Sequence, residues 1–208
     1  MSIDLAEINP DWAGQKVYMI CPFEPYDGYI GNNTTEYHNE YTAPNWLAFR
    51  LTDDNKFEFL GKEGYFWRTA IHQWDFDSEM EKEFQKMQKS YEKSKANFEK
   101  YGTLINIFAL EYDGKIEKAN YLSRLGGEYS FSNWATSISS GEYPKAFAMK
   151  LDREEGLPDD GISITYKGNP FYFIAETASY DWYDGGIDGI IMFYEPVSRI
   201  VLFTFDFT

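Results

Sequence analysis

One stretch of the sequence, residues 173–189, places carboxylates beside aromatic side chains: FIAETASYDWYDGGIDG. Glu176 lies among the apolar residues of a predicted strand. Three aspartates follow it: Asp181, Asp184 and Asp188. A carboxyl group in an apolar setting can serve as a general acid, with a second carboxylate as base or nucleophile. Aromatic rings beside carboxylates, here with Trp182, are also typical of sugar binding. This stretch is the first candidate for chemistry.

Two other interpretations of the same stretch remain open. The three aspartates could bind a hard cation such as Ca²⁺, although the spacing D-x-[DN]-x-[DN]-G of an EF-hand loop is absent. Side chains alternate between the two faces of a strand, so Glu176 could instead reach solvent, and Asp-Gly pairs are ordinary turn formers. We therefore assign no catalytic residue and no metal ligand. The candidate partner-binding residues of this stretch are Glu176, Asp181, Trp182, Asp184 and Asp188.

Other residues that commonly carry chemistry are few. Cys21 is the single cysteine, which excludes an intrachain disulfide, and its apolar surroundings predict a small buried side chain. His38 and His72 with one cysteine do not make a usual zinc site. No phosphate-binding pattern GxGxxG or GxxxxGK[ST] and no nucleophile pattern GxSxG is present in the expected context. The sequence predicts no cofactor.

A second candidate binding segment is the loop predicted at residues 22–44, which is dense in Pro, Gly, Asn and Tyr. Loops of this length are usually functional or mobile. Tyrosine offers a rigid ring with a polar tip and is enriched at protein interfaces. The tyrosines of this loop alternate with acids and are candidate partner-binding residues: Tyr26, Tyr29, Tyr37 and Tyr41. Packing of the loop over a sheet is the alternative.

The charge of the chain limits the classes of partner. Its 208 residues include 34 Asp and Glu against 19 Lys and Arg, a formal net charge of −15. Contacts to phosphate need clusters of Lys and Arg, so nucleic acids and anionic membranes are disfavoured. The acidity favours a basic protein partner, or it serves solubility alone.

The element that organises the chain is an amphipathic helix predicted at residues 78–101. Apolar residues recur there with helical spacing: Met80, Phe84, Met87, Tyr91 and Phe98. Ser78 and Glu81 form a capping box at its start, and Gly102 supplies a left-handed stop. The lysines of the opposite face are expected to be solvated.

Short β-strands are predicted on both sides of this helix. They span residues 16–21, 45–51, 56–60, 64–70, 103–112, 144–151, 162–166, 171–178, 187–194 and 199–207. In the last strand Val201, Phe203 and Phe205 share one face, and Ile200 and Leu202 make the other face apolar, which predicts a central strand. No linker or repeat divides residues 1–208. The sequence predicts one α+β domain, with the helix packed on a largely antiparallel sheet.

Three short segments resemble a known family. They are Leu125-Gly126-Gly127, residues 170–176 (PFYFIAE) and residues 188–196 (DGIIMFYEP), and they resemble YwqG-like bacterial proteins of unknown function. As an acidic, aromatic-rich α+β chain, the protein is also similar to bacterial immunity proteins, including the SUKH group. The resemblance carries no functional residue over to this chain.

The start of the chain lacks the basic and then apolar run of a secretion signal. The longest apolar runs, residues 187–194 and 200–205, are too short to span a bilayer. The sequence therefore predicts a cytoplasmic, non-enzymatic protein-binding module, of the immunity or antitoxin type. The alternative is a small-ligand or carbohydrate binder, or a hydrolase, acting near Glu176 and residues 181–188.

Overall fold

The computed structural model describes residues 1–22, 24, 30–70, 78–129, 132–152, 161–180, 182–183 and 186–207. Its strands are β1 (Ser2–Asp4), β2 (Lys16–Tyr18), β3 (Thr42–Ala43), β4 (Trp46–Leu51), β5 (Phe57–Phe59), β6 (Arg124–Leu125), β7 (Ala148–Leu151), β8 (Ile162–Tyr166), β9 (Asn169–Pro170), β10 (Tyr172–Thr177), β11 (Gly189–Glu195) and β12 (Ile200–Asp206). Its α-helices are α1 (Trp67–Ala70), α2 (Ser78–Tyr101), α3 (Ile107–Asp113) and α4 (Thr136–Ser140). Short 3₁₀ turns lie at Leu5–Glu7, Pro10–Trp12, Thr35–Tyr37, Glu63–Tyr65 and Asn133–Ala135.

The central sheet is antiparallel and runs in the order β3-β4-β12-β11-β10-β6, with β5 paired to β4. Strand β12 lies inside it, where Phe203 is opposite Leu47 of β4 and Met192 of β11. Two smaller antiparallel sheets are formed by β1-β2 and by β7-β8-β9. Helices and antiparallel sheets in one chain confirm the predicted α+β class.

Both faces of the central sheet are buried, because apolar side chains of β12 point to each of them. Phe203 and Phe205 pack in one cluster with residues near the N-terminus, among them Trp12. Leu202 packs in a second cluster, which Trp134 and residues of β7 and β8 complete. The predicted central position of the last strand is confirmed.

Strand β10 carries a β-bulge that the alternation of its sequence does not show. Its register with β11 shifts between Phe173 and Ala175, and both of these residues and Ile174 are buried. A bulge inserts one extra residue and redirects the side chains that follow it. The face on which Glu176 lies could therefore not be read from a strict period of two.

The long helix α2 has the predicted bounds. It ends at Gly102, whose φ is 70° and whose N–H donates to the carbonyl of Phe98 at 2.8 Å. Its buried apolar residues are Met80, Phe84 and Met87. The Arg68 guanidinium lies 4.9 Å from the centre of the Phe84 ring. These buried residues lie outside the two clusters that enclose the sheet.

Two predicted strands are wrong. Residues 64–70 form the end of a 3₁₀ turn and helix α1. Residues 103–112 contain most of helix α3, because the side chain of Asn106 accepts the N–H of Ala109 at 3.1 Å and Gly114 ends the helix with left-handed backbone. These local caps outweigh the strand propensity of the apolar residues between them.

Candidate functional site

Glu176 lies on β10, next to the edge strand β6 of the central sheet. Its register partner is Arg124 of β6, and Oε2 of Glu176 lies 3.6 Å from Nε of Arg124. The Glu176 side chain keeps 26% of its surface exposed. This arrangement is a half-exposed ion pair, whereas a general acid needs a carboxyl group held in an apolar setting.

The aspartates of the same stretch are only partly described. Asp188 accepts a hydrogen bond from the hydroxyl of Tyr180, and its backbone N–H donates to the carbonyl of Asp206 at 3.0 Å. Asp181 and Asp184 lie outside the described residues.

Two tyrosines of the predicted 22–44 loop lie in the described part of the chain, and each packs against a neighbouring element. The ring of Tyr37 occupies the space that a Cβ on Gly64 would need. The Tyr41 hydroxyl lies 3.2 Å from the Tyr166 hydroxyl, and its ring meets Phe147 edge to face. Both side chains are half-buried. Tyr26 and Tyr29 lie outside the described residues.

Trp182, one of the predicted partner-binding residues, lies in a concave site. Two cavities share Trp182 and Thr177, and we call them together the two-lobed cleft. The apolar lobe has a volume of about 240 Å³ and is lined further by Met1, Met19, Cys21, Tyr91, Tyr121 and Ile190. The polar lobe has a volume of about 440 Å³ and is lined further by Asn106, Lys118, Asn120 and Ser123. Together they fall in the size range of small-molecule sites, about 300–1,000 Å³.

The residue between the lobes is held by contacts from different parts of the chain. Thr177 is the last residue of β10, and its hydroxyl donates to the carbonyl of Tyr121 at 2.9 Å. The Tyr121 ring lies 6.4 Å from Trp182 and 6.1 Å from Phe98 of α2, centre to centre. Aromatic pairs at these distances favour a defined relative orientation. Helix α2, the end of β10 and the segment before β6 therefore position the cleft together.

The floor of the apolar lobe adjoins buried polar groups. The thiol of Cys21 is hydrogen-bonded to Tyr183, and burial raises the pKa of Cys21 to about 12. Tyr183 also donates to the carbonyl of Pro22 at 3.2 Å, and burial raises its pKa well above the ordinary value. A thiol with this pKa stays protonated at neutral pH and is a poor nucleophile. Cys21 thus contributes apolar surface to the lobe.

A second feature of interest is an exposed patch that we call the α3 surface. It comprises Phe108, Glu111, Tyr112, Asp113, Ile116 and Glu117. The rings of Phe108 and Tyr112 are parallel, with centres 6.5 Å apart. Phe108 is 55% exposed and Tyr112 is 81% exposed. Ile116 is 59% exposed. Exposed apolar patches of this kind are typical of interaction sites.

Sequence reasoning missed the α3 surface because it predicted a strand there. The available indication was the pair Asn106 and Gly114, a helix cap and a helix stop around a segment with Phe108 and Tyr112 four residues apart. The two-lobed cleft has no comparable local indication, because its lining comes from segments far apart in the chain.

Three further observations concern metal ligands, membrane spans and similarity to known proteins. Across the described ranges, no three His, Cys, Asp or Glu side chains are grouped as a metal site requires. The helices of the described residues include none that is long and apolar enough to cross a bilayer. No protein-family model, curated protein or solved structure matches the chain.

Proposed function

We propose that the protein is a non-enzymatic binding module for a basic protein partner, and that the α3 surface is its contact region. The observation that carries this proposal is the exposure of two stacked aromatic rings, Phe108 and Tyr112, among acidic residues of one short helix. Large aromatic residues supply most of the binding energy in many interfaces. Their exposure on α3 leaves that energy available to a partner.

Carboxylates and lysines both surround these rings, and the carboxylates are exposed enough to meet a basic partner. Glu111 and Asp113 form ion pairs with Lys93 and Lys115, and all four side chains are 44–63% exposed. Exposed ion pairs of this kind stabilise a fold by at most about 1 kcal/mol, so the carboxylates can exchange these lysines for a partner's cations. The net charge of −15 would also speed the encounter with a basic protein.

An immunity or antitoxin protein that neutralises a basic toxin in the cytoplasm is the specific form of this function that we propose. Such a protein needs a complementary surface and no catalytic group. Its support comes from the acidic, aromatic-rich composition of this α+β chain, which is similar to that of bacterial immunity proteins. The hydrolase alternative has less support, since Glu176 pairs with Arg124 and Asp188 pairs with Tyr180, and neither carboxylate lines the two-lobed cleft.

The experiment is affinity capture with tagged protein from the native host, followed by titration of the captured protein. The test variant combines Phe108→Ser and Tyr112→Ser. Its matched control is Val197→Ser, which removes an apolar side chain that is 72% exposed in the turn between β11 and β12. We expect a basic protein that the wild type and the control retain and the double variant loses.

The affinity for the captured protein should also fall as salt rises, because complementary surface charges are screened. Equal capture by the double variant and the control would refute the α3 surface as the contact region. Capture that does not depend on salt would refute the electrostatic part of the proposal.

A further inference from the structure

The two-lobed cleft has the construction of a site for an amphipathic small molecule. One lobe is mostly apolar and the other mostly polar, and both are lined by Thr177 and Trp182. Ligand sites are typically concave, mostly apolar, and supplied with a few polar groups that fix the ligand's orientation. Here the apolar and polar groups are separated into adjoining cavities, so a ligand that fills both must have two chemically different ends.

The apolar lobe accommodates a flat or alkyl body. Tyr91, Tyr121 and Trp182 present aromatic surface, while Met19 and the neutral thiol of Cys21 add polarizable sulfur. Sulfur and aromatic groups make favourable contacts with aromatic rings, and methionine adapts its shape to what it contacts. These side chains are uncharged, so the part of the ligand that packs against them is apolar.

The polar lobe carries a cationic side chain. Lys118 lines it together with Asn120 and Ser123. Within the described part of the chain, Lys118 has no carboxylate within ion-pair distance. An ammonium group that is free of a carboxylate can bind an anionic head group, and the neighbouring amide and hydroxyl can complete its hydrogen bonds.

We propose that the two-lobed cleft binds a small amphipathic molecule, with an aromatic or alkyl body in the apolar lobe and a singly charged anionic head near Lys118. This site is separate from the α3 surface and its partner. Binding requires no covalent step. The thiol of Cys21 acts through packing alone.

The test uses two fluorescent probes with nearly the same aromatic body. One is 8-anilino-1-naphthalenesulfonate, which carries a sulfonate, and the other is N-phenyl-1-naphthylamine, which is neutral. We expect saturable, one-to-one binding of both probes to the folded protein, with each probe displacing the other. Circular dichroism of each variant confirms that it is folded.

Lys118→Gln should weaken the sulfonate probe about tenfold and leave the neutral probe unchanged, since one charge-assisted contact is lost. The matched control is Lys115→Gln, which removes an exposed cation nearby that is paired with Asp113 and does not line either lobe. Equal affinities of the sulfonate probe for both variants would overturn the role of Lys118.

Tyr91→Ser should weaken both probes, because it removes aromatic surface from the apolar lobe. The control is Tyr172→Ser, a tyrosine of β10 that is 45% exposed and lines neither the cleft nor the α3 surface. If Tyr91→Ser binds both probes as the wild type does, or if no probe binds with saturation, the proposed site is refuted.

Discussion

The carboxyl group of Glu24 should make the stability of the protein fall as the pH rises from about 4.5 to about 7. Burial raises the pKa of Glu24 from 4.5 to about 7, and a hydrogen bond from the backbone N–H of Trp67, at 3.2 Å, opposes this only in part. The groups that its charge reaches include the hydroxyls of Tyr65 and Tyr183, whose pKa values burial also raises. These groups are uncharged at neutral pH and offer the carboxylate no compensating cation.

The sign and size of the effect follow from linkage. The folded protein keeps a proton on Glu24 that the unfolded chain releases above about pH 4.5, so the stabilisation is fully present below that pH and is lost as the pH passes about 7. At about 1.4 kcal/mol for each pH unit, the interval from 4.5 to about 7 corresponds to about 3 kcal/mol.

The perturbation is Glu24→Gln, which stays neutral at every pH and retains an oxygen that can accept the Trp67 N–H. We expect its free energy of unfolding to exceed that of the wild type by less than about 1 kcal/mol near pH 5 and by about 3 kcal/mol near pH 8. Urea denaturation followed by tryptophan fluorescence measures both values.

The control is Glu63→Gln, which neutralises an exposed carboxylate four residues before Trp67 in the chain. Its difference from the wild type should stay nearly constant over the same pH range. Comparison of each variant with the wild type at the same pH cancels other titrating groups, including His38, whose pKa burial lowers. A difference for Glu24→Gln that does not grow with pH would refute a buried, proton-holding Glu24.

Two further predictions concern the elements that hold the sites. Phe203→Ala should lower the free energy of unfolding by about 3–5 kcal/mol, because this side chain is fully buried in the central strand and meets the rings of Phe49 and Phe57. Urea denaturation tests this, and a loss of under about 1 kcal/mol would contradict the central packing of β12. Asn106→Ala should cost about 1 kcal/mol by removing the cap of α3. The N–H of Ala109 donates to the Asn106 side chain, so amide hydrogen exchange at Ala109 measures this loss of stability. Unchanged protection of that amide would contradict the cap.

The parts of the fold that could be predicted from the sequence are those with a long, regular pattern. Apolar residues repeat with helical spacing over the whole of α2, and its end is marked by Gly102. Successive residues of β12 point to opposite faces of the sheet, and both sets are largely apolar, which is the pattern of a central strand. In β12 the pattern reflects burial along most of the strand. In α2 it reflects burial over the first half of the helix, whereas Tyr91 and Phe98 of the same stripe are exposed.

The parts that could not be predicted depend on short or distant contacts. Helix α3 has seven residues and buries none of them, so no hydrophobic period distinguishes it from a strand. The bulge in β10 changes the direction of side chains by one inserted residue. The two-lobed cleft joins residues near the N-terminus, from α2 and from beyond β10, and their meeting is a property of the tertiary fold.

The segment that the sequence assigned wrongly therefore contributes to both candidate sites. As a strand, it would place Phe108 and Tyr112 on one face, with Leu110 between them, where a sheet would bury them. As a helix capped by Asn106, it turns both rings to solvent, and Asn106 itself lines the polar lobe. One local choice, a side-chain cap in place of strand pairing, thus creates the exposed aromatic surface and completes one wall of the cleft.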